Sequence, residues 1–184
     1  MLLDQGYDLI GCTFTTRYTQ PSSIEAAQRV AAQLGIEHHV FDYTERFEQT
    51  IVDYFVSEYQ AARTPNPCVL CNREIKFGAL LAEADRLGCA LIATGHYARI
   101  GSLTAEGDLS AQRSFSASGL SAPAVNKSIA CAKDVSKDQS YFLWQLSPTI
   151  LDRVLFPLGD YTKAQVREYL ASKGFEALSK QGES

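Results

Sequence analysis

The first half of the chain alternates between continuous apolar runs and segments with a helical period. Residues 7–14 (YDLIGCTF) are typical of a buried strand, and residues 22–35 (SSIEAAQRVAAQLG) are typical of an amphipathic helix. That helix begins with an S-x-x-E capping box and ends at a glycine. A second strand is predicted over residues 37–43. A second helix is predicted over residues 47–61, where aromatic residues recur near a helical period.

The same alternation continues through the middle of the chain. A proline-marked loop covers residues 63–70, and Asn72 then caps a helix that ends at Gly88. Residues 90–94 (ALIAT) are typical of a third strand. Strands that alternate with helices imply a mainly parallel sheet with helices on both faces. The predicted fold class is therefore α/β, with a Rossmann-like sheet.

Residues 101–127 interrupt this pattern, because they are rich in Ser, Ala and Gly and show no sustained period. We predict a long, mobile excursion there, between short strands at residues 97–100 and 128–133. Beyond it, a helix with an S-x-x-Q capping box is predicted from Ser136, and a shorter helix over residues 162–173.

Both ends of the sequence read as interrupted elements. Residues 1–6 (MLLDQG) are typical of the last turn of a helix, and a parallel sheet normally places a strand and a loop before such a helix. Residues 180–184 follow the last predicted helix without a closing element. We therefore expect the chain to be an internal part of a larger protein, truncated at both ends.

Composition and charge narrow the class of protein. Hydrophobic residues make up 46% and charged residues 21% of the 184 residues, as in a globular domain rather than a disordered chain. No stretch approaches the roughly 20 consecutive apolar residues of a membrane-spanning helix, so we expect no membrane association. The net charge of −4 argues against a general nucleic-acid-binding surface. Arg63, Arg73 and Lys76 nevertheless form a candidate basic patch.

The chain contains an odd number of cysteines, and they are Cys12, Cys68, Cys71, Cys89 and Cys131. Residues 1–11 do not show the pattern of a secretory signal. We therefore expect a cytoplasmic protein whose thiols are free, catalytic or metal-bound.

The most informative segment is RTPNPCVLCNREIKF, residues 63–77. Two prolines restrict the residues before them to extended conformations, which makes a stiff arm leading to Cys68 and Cys71. Cys71 directly precedes the predicted cap Asn72, so its thiol should face the positive end of a helix dipole. This position predicts a lowered pKa for Cys71.

A thiolate held in this way can act as a nucleophile, a sulfur carrier or a metal ligand. Cys68 and Cys71 could be half of a structural zinc site, but the sequence has no second C-x-x-C and no spaced His pair. His38 and His39 are adjacent on a predicted strand and should point to opposite faces. A reactive thiol is therefore favoured over zinc, and a thioredoxin-type redox pair fits less well than either.

Two further segments carry candidate polar contacts. ATGHYAR follows the third predicted strand, where ligands of parallel sheets bind, so Gly95 could admit a flat ring and His96 a phosphate or base. Lys137, Asp138 and Gln139 crowd a predicted helix start, where they could contact nucleic acid. The alternatives are a turn glycine with a half-buried histidine in the first case, and plain helix capping in the second.

These segments, in this order, resemble the tRNA-specific 2-thiouridylases (tRNA-uridine 2-sulfurtransferases, the MnmA/TrmU family). The resemblance extends over nearly the whole chain through QGYDLIGCTF, RTPNPCVLCNREIKFGALL, ATGHYAR, SKDQSYFL and FPLG with the following TKAQVRE. It implies that residues 1–184 are an incomplete N-terminal catalytic domain of the PP-loop class, with an adenine nucleotide α-hydrolase-like sheet. The family's central and C-terminal β-barrel domains are absent from these residues.

The family makes 2-thiouridine at the wobble position of tRNA. The resemblance implies that ATP, with Mg²⁺, adenylates the uracil C2 oxygen and that a cysteine persulfide then delivers sulfur. The implied partners are tRNAs of the Lys, Glu and Gln type and a sulfur-relay protein or cysteine desulfurase. A disulfide bond is a further implied feature.

The resemblance also implies roles for individual residues. Cys71 matches the nucleophilic cysteine, and Gly95 matches an ATP contact. The positions that match contacts to tRNA or to the target base are Asn66, Pro67, Cys68, His96, Lys137, Asp138 and Gln139. Many family members have Asp at the position of Cys68, so this chain departs from the pattern there.

Two motifs of the family do not occur in the 184 residues, namely the SGGxDSS pyrophosphate loop and the second, persulfide-bearing cysteine. We therefore expect no thiolation by this chain alone. Two other functions stay open. One is a module in which Cys68 and Cys71 bind an iron–sulfur cluster or another metal. The other is a small-molecule PP-loop ligase, for which replacing Lys137 and Gln139 would leave tRNA binding unchanged.

Overall fold

A computed structural model describes residues 1–103, 109–110 and 127–175. Within this part the chain forms two compact units, residues 1–80 and the described residues from 81 onward. Each unit combines helices with a parallel pair of strands. The predicted α/β class with parallel strand pairing is thus confirmed, and the units are described in turn.

The first unit is built around one parallel strand pair. Its elements are the 3₁₀ turn Leu3–Gln5, β1 Ile10–Thr15, α1 Pro21–Leu34, β2 Glu37–Asp42, α2 Thr44–Phe47, the π-helical turn Glu48–Val52, α3 Asp53–Gln60, α4 Pro67–Cys71 and the π-helix Asn72–Ala79. Strands β1 and β2 are parallel, with Ile10 opposite Glu37 and Thr15 opposite Asp42. The connection between them is α1, as the predicted strand–helix–strand alternation requires.

The ends of α1 show which local signals decide its length. The helix begins at Pro21, with Gln20 as a cap that makes no side-chain hydrogen bond, so the predicted capping box at Ser22 is wrong. Proline suits the first helical position, because its fixed φ is already helical and its missing N–H has no partner there anyway. The predicted end is confirmed, since Gly35 adopts φ +69° and closes the last turn.

The second unit mixes parallel and antiparallel pairs. Its elements are α5 Leu80–Arg86, β3 Ile92–Ala93, β4 Ala98–Leu103, β5 Leu109–Ser110, β6 Lys127–Cys131, the 3₁₀ turns Val135–Lys137 and Ser140–Leu143, α6 Pro148–Leu151, β7 Val154–Leu155 and α7 Lys163–Ser172. Strands β3 and β7 are parallel, whereas β4 pairs with β5 and β6 in an antiparallel sheet. The sequence pattern predicted strands near β4 and β6 but not that they pair with each other.

The helix predicted from Ser136 is wrong. The segment forms two 3₁₀ turns instead, because its polar side chains bond elsewhere. Ser136 Oγ donates to Asp134 Oδ1 at 2.6 Å, and Gln139 Oε1 accepts from the N–H of Tyr97 at 2.9 Å. Neither side chain completes the expected capping box.

A small core and several hydrogen bonds hold the second unit together. The core cluster contains Tyr97, Ala132 and Val166. Arg153 donates to the carbonyls of Cys89 and Ala90 at 2.9 and 3.0 Å, which ties β7 to the chain before β3. At α7 the predicted helix is confirmed, with a Thr162 capping box at its start and Gly174 at φ +81° beyond its end.

The predicted excursion at residues 101–127 falls largely outside the described residues, apart from the ends of β4 and β6 and the short β5. A search of the described residues finds no helix with the length and apolar character needed to cross a lipid bilayer.

Candidate functional site

The C-x-x-C segment lies on a short helix, α4, which begins earlier than predicted. Asn66 is its N-cap, and the Asn66 Oδ1 accepts a hydrogen bond from the N–H of Val69 at 3.3 Å. Pro67 occupies the first turn. The prediction that Asn72 is the cap is wrong, because Asn72 lies inside the helical run and is buried. The signal for the true cap was the Asn-Pro pair, since Pro favours the first helical position.

Cys68 and Cys71 are separated by one helical turn and lie on the same side of α4. Both are free thiols, with Cys68 exposed and Cys71 half-buried. Their helix is anchored by Val69 on its other side, where only 4% of the side chain is exposed. The arrangement presents one accessible sulfur and one partly sheltered sulfur to the same side of the helix.

The electrostatic prediction for Cys71 is wrong. Burial raises the pKa of the Cys71 thiol above its usual value, the nearby Lys76 ammonium opposes this, and Cys68 adds to the increase. The physical reason is the position of the helix N-cap, which is Asn66 and not Asn72. Cys71 ends α4 rather than preceding a new helix, so its thiol does not face free N–H groups at a helix start. At neutral pH Cys71 is therefore chiefly a protonated thiol.

The π-helix Asn72–Ala79 determines how the next charged residue is placed. In a π-helix the turn closes over five residues, so Lys76 comes about one such turn after Cys71. The fold needs glycine at position 78, because a Cβ there would lie 2.7 Å from the carbonyl oxygen of Arg73. The π-helix is not predictable from the sequence, where its only signal is a glycine inside an apolar helical pattern.

The basic patch predicted at Arg63, Arg73 and Lys76 is largely neutralised by acidic partners. Arg63 forms a two-pronged ion pair with Glu58, with Nε–Oε2 at 2.7 Å and Nη2–Oε1 at 2.5 Å. Arg73 Nε lies 2.7 Å from Glu74 Oε1. Lys76 makes no ion pair with any residue that the structure describes. The patch prediction counted acids within its own segment and overlooked Glu58 on α3.

In the second unit, the turn of residues 94–97, called here the His96 turn, follows β3. Gly95 is exposed, whereas His96 retains only 9% of its exposure. His96 Nδ1 lies 2.9 Å from Thr94 Oγ1, and its ring packs edge-to-face with that of Phe156, with 6.1 Å between centroids. The histidine is thus a satisfied, largely buried group, and the exposed backbone at Gly95 is the accessible part of the turn.

The FPLG segment, residues 156–159, supports the His96 turn. A Cβ on Gly95 would meet only Leu158 Cδ1, at 3.8 Å, whereas a Cβ on Gly159 would overlap the carbonyl oxygen of Ala98. The Gly159 carbonyl also accepts from the N–H of Lys133 at 2.9 Å. Phe156 and Gly159 were not singled out as site residues by sequence reasoning, and the close backbone approach at Gly159 explains why glycine is needed there.

The Lys137–Asp138–Gln139 segment directs two of its three side chains into the protein. Asp138 Oδ1 accepts from the N–H of Ala132 at 2.6 Å, and Gln139 Oε1 accepts from the N–H of Tyr97. Lys137 is half-buried at the end of a 3₁₀ turn. Within the second unit, this segment therefore lies next to the His96 turn.

The candidate residues fall into two groups, one per unit. Those in the first unit are Asn66, Pro67, Cys68 and Cys71, and those in the second unit are Gly95, His96, Lys137, Asp138 and Gln139. Each group is brought together within its own unit.

The described residues contain no group of three or more His, Cys, Asp or Glu side chains able to hold a metal ion. His38 and His39 do not approach such a site, since His38 Nε2 lies 3.0 Å from Thr13 Oγ1 and His39 Nε2 lies 2.8 Å from Glu37 Oε1. No disulfide joins any of the cysteines, all of which are described and free.

Comparison with known proteins gives a consistent picture. The sequence profile of a family described as "tRNA methyl transferase HUP domain" matches residues 4–184. A protein named tRNA-specific 2-thiouridylase MnmA 3 from Bacteroides fragilis is 44% identical over 184 residues, covering 100% of this chain and 44% of the relative.

Two other relatives show similar coverage. The tRNA-specific 2-thiouridylase MnmA 3 of Phocaeicola vulgatus is 44% identical over 100% of this chain and 46% of its own length. The tRNA-specific 2-thiouridylase MnmA of Treponema denticola is 43% identical over 95% of this chain and 45% of its own length. The chain spans less than half the length of the curated relatives it matches.

Proposed function

The chain belongs to the tRNA methyl transferase HUP domain family, and from that membership we propose that it is the cysteine-bearing catalytic part of a tRNA-uridine 2-sulfurtransferase. The reaction proposed is transfer of sulfur rather than of a methyl group. Two observations favour sulfur: the relatives are named 2-thiouridylases, and two free thiols share one side of α4. The thiols on the capped helix are the observation that carries the proposal.

In the proposed reaction Cys71 is the nucleophile that releases sulfur to the base. ATP activates the uracil C2 oxygen by adenylation, so that the oxygen can leave with AMP. The outer sulfur of a donor persulfide bonds to C2 as AMP departs. The Cys71 thiolate then attacks the inner sulfur, which breaks the S–S bond, forms a disulfide between Cys71 and the donor cysteine, and leaves the sulfur on C2.

The surroundings of Cys71 suit a nucleophile that stays protonated until the reaction requires its thiolate. A half-buried, protonated thiol resists adventitious oxidation, and it must lose its proton before it attacks. Lys76 is the nearby cation that stabilises the thiolate once it forms. Cys68 and the capping Asn66 lie on the accessible side of the same helix start, where the target base would approach.

The second unit would supply the nucleotide and further RNA contacts. Gly95 is exposed directly after β3, and nucleotides bind to open parallel sheets beyond the carboxyl ends of strands. Mg²⁺ enters the proposal only as the ion that accompanies ATP. The tRNA substrate, of the Lys, Glu or Gln type, and a cytoplasmic sulfur relay are proposed from the resemblance to the 2-thiouridylases.

The test is formation of 2-thiouridine on unmodified tRNA by the full-length protein, with ATP and a sulfide or persulfide source. We expect Cys71→Ser to abolish turnover while leaving the unfolding transition unchanged. Cys12→Ser is the matched control, because Cys12 is an exposed free thiol on β1 outside the proposed site. Normal turnover by Cys71→Ser, or equal loss in both variants, would overturn the proposal.

The same full-length protein also serves to test the iron–sulfur alternative. Anaerobic purification followed by metal analysis and a visible absorption spectrum would reveal a cluster on Cys68 and Cys71. The proposal expects thiolation without bound iron. We further propose that residues 1–184 alone do not turn over, because they contain neither an SGGxDSS loop nor a cysteine that matches the family's second, persulfide-bearing cysteine.

A further inference from the structure

The segment between β6 and Leu143 closes the end of an antiparallel strand pair. Strands β4 and β6 are in register with Ala98 opposite Cys131. The next residues outward, Tyr97 and Ala132, are both buried, with 7% and 3% of their surfaces exposed. Their backbone groups lie beyond the last strand–strand pairs and need other partners, since buried N–H and C=O groups are costly to leave unpaired.

Gln139 provides partners for both backbone groups of Tyr97. Its backbone N–H donates to the Tyr97 carbonyl at 2.8 Å, and its side-chain Oε1 accepts from the Tyr97 N–H at 2.9 Å. One residue thereby continues the ladder in the way that a strand neighbour would. The Oε1 atom is therefore committed to the backbone of a buried residue.

Asp138 performs the matching role for the partner strand. Its Oδ1 accepts from the N–H of Ala132 at 2.6 Å, and its Oδ2 accepts from Ser140 Oγ at 2.6 Å. Both carboxylate oxygens are therefore occupied within the same unit. These two bonds hold the carboxylate in place within the unit, and its negative charge disfavours contact with a phosphate.

These contacts reach the His96 turn directly, because Tyr97 follows His96. The His96 ring is fixed by Thr94 Oγ1 at its Nδ1 and by edge-to-face packing with Phe156. Gln139 also holds the backbone of Tyr97. The exposed backbone of Gly95 is therefore flanked by residues whose positions are fixed. A turn that is held in advance does not need to be ordered when a ligand binds.

We propose that Gln139 and Asp138 are positioning residues that hold the His96 turn in its binding conformation, whereas Lys137 is the cation of the three that meets the RNA. This inference rests on the proposed function, in which the turn meets nucleotide and tRNA. Gln139 would then act through its carboxamide oxygen, which accepts a hydrogen bond from the Tyr97 N–H, and not through an amide nitrogen that recognises a base.

The test compares Gln139→Glu, which keeps an oxygen acceptor at that position, with Gln139→Met, which has similar length but no acceptor. In the full-length protein we expect Gln139→Glu to bind ATP and tRNA within about twofold of wild type. Gln139→Met should lose about tenfold in both affinities, the size of effect expected for one buried hydrogen bond. The salt dependence of tRNA binding should stay unchanged in Gln139→Met. If Gln139→Met does not fold, Gln139→Asn, whose shorter side chain withdraws the acceptor, takes its place.

Lys137→Ala is the contrasting variant. It should weaken tRNA binding, lower the slope of log K against log salt by about one unit, and leave ATP binding unchanged. The inference is overturned if Gln139→Glu weakens tRNA binding as much as Gln139→Met while ATP binding is retained. That result would show that the Gln139 amide contacts the RNA.

A spectroscopic readout separates this inference from the proposed function. The His96 imidazole signals in nuclear magnetic resonance spectra need no tRNA, and we expect them to shift in Gln139→Met and to return to the wild-type positions in Gln139→Glu. If the wild-type protein binds no tRNA, the proposed function is wrong, and the imidazole spectra alone then decide the inference. Unshifted signals in Gln139→Met would overturn it.

Discussion

The proposed chemistry depends on a thiol, that of Cys71, whose surroundings favour the protonated form. Burial raises the pKa of Cys71 and Lys76 opposes that increase. Because the pKa is higher in the folded than in the unfolded chain, the neutral thiol contributes stability below the ordinary thiol pKa. That contribution is lost as the pH rises through the folded value.

The first prediction concerns the pH profile of Cys71 alkylation, followed by mass spectrometry so that each cysteine is resolved. The midpoint should lie above that of the same cysteine in the urea-unfolded chain. Lys76→Met should move the midpoint higher still, and Lys76→Arg should restore it, because the effect requires only a nearby positive charge. A midpoint at or below the unfolded value would contradict the described burial.

The second prediction compares two glycines of the second unit. Gly159→Ala places a methyl group against the Ala98 carbonyl and should lower the free energy of unfolding by about 2–3 kcal/mol in urea titrations. Gly95→Ala meets only the end of the Leu158 side chain, so its stability should change by no more than about 0.5 kcal/mol. Equal destabilisation by the two substitutions would mean that Gly159 is not held against β4.

At the scale of elements, the decisive feature is where α4 begins. The helix is short, so its cap and its buried side chain Val69 largely determine whether Cys68 and Cys71 share one side of it. Beyond it, the π-helix keeps Lys76 within electrostatic reach of Cys71. An early or late helix start would rotate the two sulfurs relative to each other.

The third prediction tests this cap. Asn66→Ala removes the acceptor for the Val69 N–H and should destabilise the protein by about 1 kcal/mol, measured by urea unfolding. Asn66→Asp keeps an acceptor oxygen and should cost little. Destabilisation of the same size in Asn66→Asp would indicate that the Asn66 amide, rather than its Oδ1, makes the stabilising contact.

Local sequence signals predicted elements well where the deciding interaction is itself local. Gly35 and Gly174 end their helices as expected, since a positive φ needs only the glycine itself. The helix expected from Ser136 failed because Gln139 bonds to Tyr97, which lies far away in sequence. A capping motif in the sequence does not reveal such a long-range hydrogen bond. The antiparallel pairing of β4 with β6 was missed for the same reason, because it also joins residues far apart in the sequence.

The candidate site likewise has features that local sequence indicates and features that depend on long-range packing. The residue types and the order of the motifs single out the C-x-x-C segment, Gly95 and His96 as candidates, and their roles stay predictions. The pKa of Cys71 could not be predicted, because it depends on how deeply the side chain is buried and on whether a helix starts before or after it. Sequence spacing gives neither quantity.

At the scale of the whole molecule, the net charge of −4 over the 184 residues means that the proposed RNA binding would depend on local cations. The ion pair of Arg63 with Glu58 and that of Arg73 with Glu74 reduce the positive potential beside α4. Both glutamates are exposed or partly exposed, so these pairs are weak in themselves and can exchange for a phosphate. The cost of that exchange lowers the affinity that the patch can provide.

The last prediction follows from this competition. Glu58→Gln removes the charged partner of Arg63 and leaves that guanidinium available to a phosphate. If tRNA passes beside α4 as proposed, its affinity at about 50 mM salt should rise a few-fold, and the gain should shrink towards about 200 mM salt, because a freed cation releases one further counterion on binding. Glu25→Gln is the control for the change in net charge, since Glu25 forms a looser exposed pair with Arg29 on α1, at 3.8 Å and away from the cysteine segment in sequence. An equal gain from both substitutions would show that only the net charge matters, and that the RNA does not approach Arg63 in particular.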